Sequence, residues 1–304
     1  MSRLFEGLSR ATFQRAHLDK VPADLARPSP GETAEVLSDA MPGVIGTRGT
    51  IEPKNLLEIE KARSVVVKSP PTSRLVAWTD PNSLGAEKFR ALTVRLAGIR
   101  RQQHLNSLQV TSSVINEGKS FVASNLAVTL AKYSGSKTLL IEGDLHRPTL
   151  ASMFGLKDLQ GVGDWWAGRE PDITRFLVRL NGSTLWFLPA GKTISRPSDI
   201  LNSTRLEEAF THLADRFDWI IVDSTPMLPV IDANLWSQLV DGTLLVIREG
   251  LAPLKALKNG LQSLDHPKLI GVVVNEASEF DQTGYDGQYY GAVQDGDQRS
   301  EKRR

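Results

Sequence analysis

The sequence predicts an α/β domain: a mostly parallel β-sheet flanked by helices on both faces. Three observations predict it. Apolar runs of strand length, rich in Val, Ile and Leu and lacking the polar alternation of a half-exposed sheet, recur between residues 76 and 290. Helix-like stretches with apolar residues at every fourth position lie between most of them. The chain, 304 residues long and 40% hydrophobic, is large enough to cover a sheet on two sides.

In chain order, residues 1–20, MSRLFEGLSRATFQRAHLDK, place Leu4, Leu8 and Ala11 at helical spacing among Arg3, Arg10 and Arg15. They predict a basic amphipathic helix of the kind that docks on anionic lipid or a partner. Residues 21–75 carry Pro22, Pro28, Pro30, Pro42, Pro53, Pro70 and Pro71 among small polar residues, and predict a largely disordered linker. The run SVVVK at 64–68 is a candidate edge strand within it. The domain then spans 76–290, with strands predicted at 108–112, 138–141, 184–188, 218–223, 242–247 and 269–274. After the first strand, SFVASNLAVTLAKY repeats Val122, Leu126 and Leu130 as one helix face. The last residues, 291–304, are polar and predict a disordered tail.

Composition narrows the function. A formal net charge of +1 gives no overall field for nucleic acid. With no cysteine there is no disulfide, thiolate nucleophile or Cys-based zinc site. The histidines, at 17, 104, 146, 212 and 266, show no metal-binding spacing. No apolar run has membrane-spanning length and the N-terminus has no signal-peptide core, so the chain reads as soluble and intracellular.

The chemistry is concentrated between the first strand and the first long helix. Residues 113–120 read SVINEGKS. The phosphate-cradling pattern G-x-x-x-x-G-K-[ST] keeps Gly118, Lys119 and Ser120 but finds Ser113 in place of its first glycine. Backbone amides at a helix start bind anions by geometry more than by side chain. Lys119 is suited to phosphate oxygens and Ser120 to magnesium, while Ser113 is small and Asn116 tolerates positive φ. Two other strands end in acids: Asp223 in DWIIVDSTP, and Glu142 and Asp144 in TLLIEGDLHRP. In an open α/β sheet these carboxyl ends face one crevice.

Together, VTSSVINEGKSFVASNLAVTLA, LLIEGDLHRPTLASMFGL, GVGDWWAG, FLPAGKTISRPSDIL and DWIIVDSTPMLPVIDANLWSQLVDGTLLVIREG resemble the bacterial tyrosine kinases of capsule and exopolysaccharide systems, in their single-chain cytoplasmic form. The resemblance runs from about residue 78 to 290. It implies a P-loop fold and an ATP-dependent, autophosphorylating tyrosine kinase that regulates polysaccharide polymerisation and export. It assigns catalysis to Lys119, Asp144, Glu142 and Asp223, without saying which carboxylate is the base, and magnesium to Ser120, Asp144 and Asp223. It assigns nucleotide contacts to Ser113, Asn116, Glu117, Gly118, Lys119, Ser120, Phe121 and Asn275. Tyr285, Tyr289 and Tyr290 become the phosphoacceptors, and Glu87, Arg90 and Arg95 the contacts of a homo-oligomeric ring. The implied cofactors are ATP and Mg2+. The implied partners are a membrane-spanning co-polymerase or activator and a tyrosine phosphatase, placing the chain in the cytoplasm at the inner face of the membrane.

The chain departs from the family pattern at several places, and its tyrosine cluster is short. Ile115 and Asn116 replace Pro-Gly, Glu142 replaces Asp, His146 stands where a basic residue is usual, and Thr93 fills the slot of the second arginine in E-x-x-R-x-x-R. Two alternatives share the fold: a degenerate nucleotide-binding scaffold, and a nucleotide switch of the partitioning or septum-placement type. The second carries an extra lysine where this chain has Val114.

Overall fold

The structure, a computed structural model, describes residues 59–68, 74–228, 230–263 and 266–276. The predicted N-terminal helix at 1–20, most of the linker, Tyr285, Tyr289, Tyr290 and the tail at 291–304 lie outside the described residues.

Eight strands among the described residues form one sheet: β1 (Arg63–Val65), β2 (Ser107–Ser112), β3 (Thr138–Glu142), β4 (Val178–Leu180), β5 (Leu185–Leu188), β6 (Trp219–Asp223), β7 (Gly242–Arg248) and β8 (Leu269–Asn275). Their spatial order is β1-β4-β5-β3-β6-β2-β7-β8. Every neighbouring pair is parallel except β4 and β5, which are antiparallel, so β1 and β4 run against the other strands. The predicted sheet is therefore observed, with an antiparallel step at one edge.

The helices are α1 (Val76–Thr79), α2 (Leu84–Arg100), α3 (Lys119–Tyr133), α4 (Leu150–Met153), α5 (Val162–Ala167), α6 (Pro197–Leu201), α7 (Thr204–Ala214), α8 (Asp232–Leu239) and α9 (Leu254–Ser263). None among the described residues is long and apolar enough to cross a membrane.

Alternate strand residues feed two cores. Leu140 and Ile221 pack with Phe89, Leu92 and Leu96 of α2 and Leu126 and Leu130 of α3. Their chain neighbours Leu139, Ile141, Ile220 and Val222 face the other side and pack with Leu206, Phe210 and Leu213 of α7 and Trp236 of α8. This two-sided burial is why the strands read as unbroken apolar runs. Helix starts are set by local chemistry: the Ser83 side chain accepts from Ala86 N ahead of α2, and that of Ser203 from Leu206 N ahead of α7.

Residues 59–68, which the proline-rich composition assigns to the linker, are built into this architecture. Ile59 is wholly buried, β1 pairs with β4, and Trp186 Nε1 donates to Ile59 O at 3.0 Å. The folded unit thus includes residues before the expected boundary at 76. The candidate edge strand at 64–68 hints at this, and β1 overlaps it, but composition places the segment in the linker because a three-residue strand acquires its partner only through tertiary pairing.

The strand order places the site. β3, β6 and β2 are adjacent, in register through Glu142–Asp223 and Val110–Asp223, so the loops after them open on one side of the sheet. The chain leaves β2 toward β3 on one flank and returns through β7 on the other, the reversal at which open α/β sheets form a crevice.

Candidate active site

β2 is buried throughout, so the turn that follows it is drawn tight against the sheet. Two residues allow the turn: Asn116 at φ 65° and Gly118 at φ 96°. Glycine is required at 118 for space as well, since a Cβ there would lie 2.1 Å from Asn275 Nδ2. The first helix-type bond from the loop runs from Val122 N to Gly118 O at 2.9 Å. Amides before it have no acceptor within the helix and, with its positive end, form an anion cradle.

Lys119, at the head of α3, reaches across to both acidic strands. Its Nζ lies 2.9 Å from Asp144 Oδ2 and 3.8 Å from Asp223 Oδ1, and donates to Ser120 Oγ at 3.2 Å. Burial alone would lower the Lys119 ammonium, but Asp223 and Asp144 outweigh it and hold the group above its ordinary value.

Asp223 is wholly buried, and among the described residues no donor completes a hydrogen bond to either of its side-chain oxygens. Burial pushes its carboxyl up to about 6, against the pull of Lys119 and the nearby Ser120 hydroxyl. Dry carboxylate oxygens without donors are costly unless a guest fills them. Together with Ser120 they fit magnesium, which binds through one or two carboxylates plus phosphate oxygens and keeps its waters. Asp144 Oδ1 accepts from Arg147 N at 3.0 Å, which turns the loop after β3 and leaves Oδ2 on the Lys119 side. His146, two residues on, sets its Nε2 3.0 Å from Asp232 Oδ2 and ties this loop to α8.

Other expected site residues are placed differently. Glu142 Oε2 accepts from Ala190 N at 3.0 Å and Oε1 from Ala151 N at 3.2 Å, joining the loop after β5 to α4. Burial raises its carboxyl, against the pull of those amides. Its oxygens are engaged by backbone, not turned to Lys119. Glu117 is also directed inward, where Oε2 accepts from Ser113 Oγ at 2.7 Å and Val114 N at 2.8 Å. Asn275 Nδ2 donates to Glu117 O at 2.9 Å, and Phe121 stacks edge-on to Phe89 of α2 with ring centroids 5.6 Å apart. These side chains shape the loop and helix from behind.

On α2, Glu87 and Arg90 pair with each other. Arg90 also donates to Pro81 O at 2.8 Å and lies over the Tyr133 ring at 5.0 Å. Thr93 is buried and donates to Arg90 O at 2.7 Å, so the slot expected for another arginine points into the protein. Arg95 is half-buried on the same helix. Two further participants are not singled out by the sequence reading. Arg248 closes β7 and donates its N–H to Glu117 Oε1 at 3.3 Å, and Asp232 meets His146. Both lie in the long stretch from 218 to 250 that carries the resemblance, but no spacing within it marks them, and it is β7 and α8 that bring them to the phosphate loop and to the loop after β3.

No protein-family model matches the chain. YwqD, a tyrosine-protein kinase of Bacillus subtilis, is 29% identical over 217 residues, spanning 70% of this chain and 91% of that protein. CapB of Staphylococcus aureus, assigned to the same kinase class, is 30% identical over 207 residues, spanning 67% of this chain and 90% of its own length. Among solved structures, the kinase domain of Escherichia coli tyrosine kinase ETK aligns with a TM-score of 0.64 at 28% identity, over 69% of this chain and 83% of that one. The site geometry, the sheet order and these likenesses agree: the chain belongs to the bacterial tyrosine kinases of capsule and exopolysaccharide systems, built on the P-loop fold.

Proposed function

We propose that the chain is an ATP-dependent protein-tyrosine kinase that phosphorylates its own C-terminal tyrosines and thereby regulates polymerisation and export of a capsular or exopolysaccharide. One observation carries the reading: Lys119 stands at the head of α3 within ion-pair reach of two acids from neighbouring strands, Asp144 at 2.9 Å and Asp223 at 3.8 Å. A structural role alone would not require two acids and a lysine at the carboxyl ends of adjacent strands beside an amide-lined turn.

Each group has a task. The amides before Val122 and the head of α3 hold the nucleotide phosphates. Lys119 turns from Asp144 to the terminal phosphate oxygens, and that move uncovers the Asp144 carboxylate. Ser120 and Asp223 hold magnesium, which when bound draws charge from the transferring phosphoryl group. Asp144 is the better base than Glu142, because backbone amides already engage both Glu142 oxygens. A phenol, with a pKa of about 10, needs such an acceptor near neutral pH. Asp144 takes the phenolic proton as the tyrosine oxygen bonds to phosphorus and the bond to the ADP oxygen breaks. Tyr285, Tyr289 and Tyr290 are the proposed acceptors, within YDGQYY. A membrane-spanning activator would hold the chain at the inner face of the membrane, and a tyrosine phosphatase would reset it.

The test is incubation of the purified chain with magnesium and ATP, followed by detection of phosphotyrosine, with Lys119→Met as the blank. We expect wild-type signal well above the blank and its loss in the Tyr285/Tyr289/Tyr290→Phe chain. Nucleotide binding with signal no greater than the blank would replace the kinase with the scaffold reading.

A further inference from the structure

The phosphate loop lacks its first glycine, yet the turn closes, and the residues that close it are specific. Ser113 is wholly buried and is not among the positive-φ residues, so glycine's backbone freedom is not needed there. The left-handed positions of the turn fall at Asn116 and Gly118 instead. Ser113 uses its side chain. Its hydroxyl donates to Glu117 Oε2 at 2.7 Å, and the same oxygen accepts from Val114 N at 2.8 Å. The second oxygen of that carboxylate accepts from Arg248 N at 3.3 Å, at the end of β7. Glu117 is wholly buried, and its backbone carbonyl is held by Asn275 Nδ2 at 2.9 Å, at the end of β8. Residue 117 is therefore fixed by its side chain and its main chain together, from its own loop and from the ends of two strands.

We propose that this hydroxyl–carboxylate clamp takes the place of the missing glycine, with Ser113 and Glu117 acting as positioning residues for nucleotide binding. The inference deepens the reading of this loop as a nucleotide site and rests on it. The clamp does two things. It bridges the turn across residues 113–117, so the amides that follow are preset for an anion rather than ordered at its arrival. It also keeps the Glu117 charge turned into the protein. An acid released on the outer side of the turn would face the phosphates it is meant to help hold, and like charges repel there. A glycine at 113 would satisfy the usual sequence pattern while removing the donor that keeps Glu117 in place.

The consequence is counterintuitive and can be measured. Binding of magnesium-ADP to the full chain is titrated calorimetrically at low temperature, with the nucleotide-free thermal midpoint recorded for every variant. Ser113→Gly, which restores the pattern, is expected to weaken binding by about tenfold, the worth of a hydrogen bond to a charged group. Ser113→Ala should weaken it similarly, because both lose the hydroxyl. The Ser113→Ala/Glu117→Gln double variant should bind no more weakly than the weaker single variant, since each substitution already disrupts the bond that the two side chains share. If Glu117→Gln fails to fold, the two Ser113 variants carry the test.

Wild-type or tighter affinity in Ser113→Gly overturns the proposal. So does a lowered thermal midpoint with unchanged affinity, which is the mark of a merely structural role, and so does additivity in the double variant. The two readings fail differently. Wild-type nucleotide binding that depends on Ser113, without phosphotyrosine, removes the kinase and keeps the clamp. Phosphotyrosine from a Ser113→Gly chain with full affinity removes the clamp and keeps the kinase. A wild-type chain that binds no nucleotide removes both.

Discussion

At the scale of single residues, Glu142 shows what one methylene does. Aspartate is usual in this family at the first acid of the motif, and the longer side chain here spans from Ala151 N to Ala190 N at 3.2 and 3.0 Å. Aspartate at this position falls short of one of the two amides. Glu142→Asp, although it restores the family residue, should cost about 1–3 kcal/mol in denaturant unfolding while leaving nucleotide affinity near wild type. A loss of affinity at unchanged stability would return Glu142 to the catalytic set. Asp241 supplies a pH dependence. Burial would raise its carboxyl, but Asn106 N, Ser107 N and Ser107 Oγ, each 2.8 Å from Oδ2, prevail and hold it below the ordinary 3.8. A depressed acid contributes stability above its unfolded pKa and loses it as pH falls through the folded value. Asp241→Asn should therefore lower unfolding stability at neutral pH by about 1–2 kcal/mol, and the gap to wild type should close as pH falls below the ordinary carboxylate range and through the folded value. A gap that persists in acid would refute that account. Sequence reached Lys119, Ser120, Asp144 and Asp223, which the structure gathers, because each ends a predicted strand or begins a helix. It did not orient Glu142 or Glu117, since the donors that turn them inward are backbone amides of distant segments, which leave no side-chain pattern to read.

At the scale of elements, legibility followed length. The strands β2, β3, β5, β6, β7 and β8 all lie within a residue or so of the runs read from sequence, and α3 starts at Lys119, where the glycine turn releases it. Of the three-residue strands, β1 shows in sequence only as the candidate run at 64–68 and β4 does not show at all, and the antiparallel step between β4 and β5 depends on a neighbour rather than on their own residues. The small edge they form still carries weight. Ile59 is wholly buried, Val65 lies in the core, and Trp186 Nε1 depends on Ile59 O. A residue in a disordered linker would tolerate alanine at no cost. In the full chain, Ile59→Ala should instead lower unfolding stability by about 2–4 kcal/mol, the range for deleting a buried branched side chain. Chemical denaturation is the check, and a change of under about 0.5 kcal/mol would put the domain boundary back at residue 76.

At the scale of the whole molecule, the sheet gathers everything chemical on one side. The loops after β3, β6 and β2 open there, and the end of β8 joins them through Asn275, whose amide holds the phosphate loop at 2.9 Å. Glu276 follows, bridging Arg248 and, at 3.5 Å, Arg74. The segment bearing the tyrosines therefore departs from the rim of the site, with Tyr285 only nine residues past Glu276 in the sequence. Nine residues span at most about 30 Å, and part of that reach is spent if the chain must reverse to present a phenol to its own phosphate loop. A segment rooted on the rim can meet a second copy's site without that reversal. We therefore expect phosphorylation between molecules. The decisive mixture combines a Lys119→Met chain, which keeps its tyrosines, with a Tyr285/Tyr289/Tyr290→Phe chain, which keeps its active site. Phosphotyrosine should appear on the Lys119→Met chain, and wild-type labelling per molecule should rise with protein concentration. Labelling that ignores concentration, with none in the mixture, would mean that each tail doubles back into its own site.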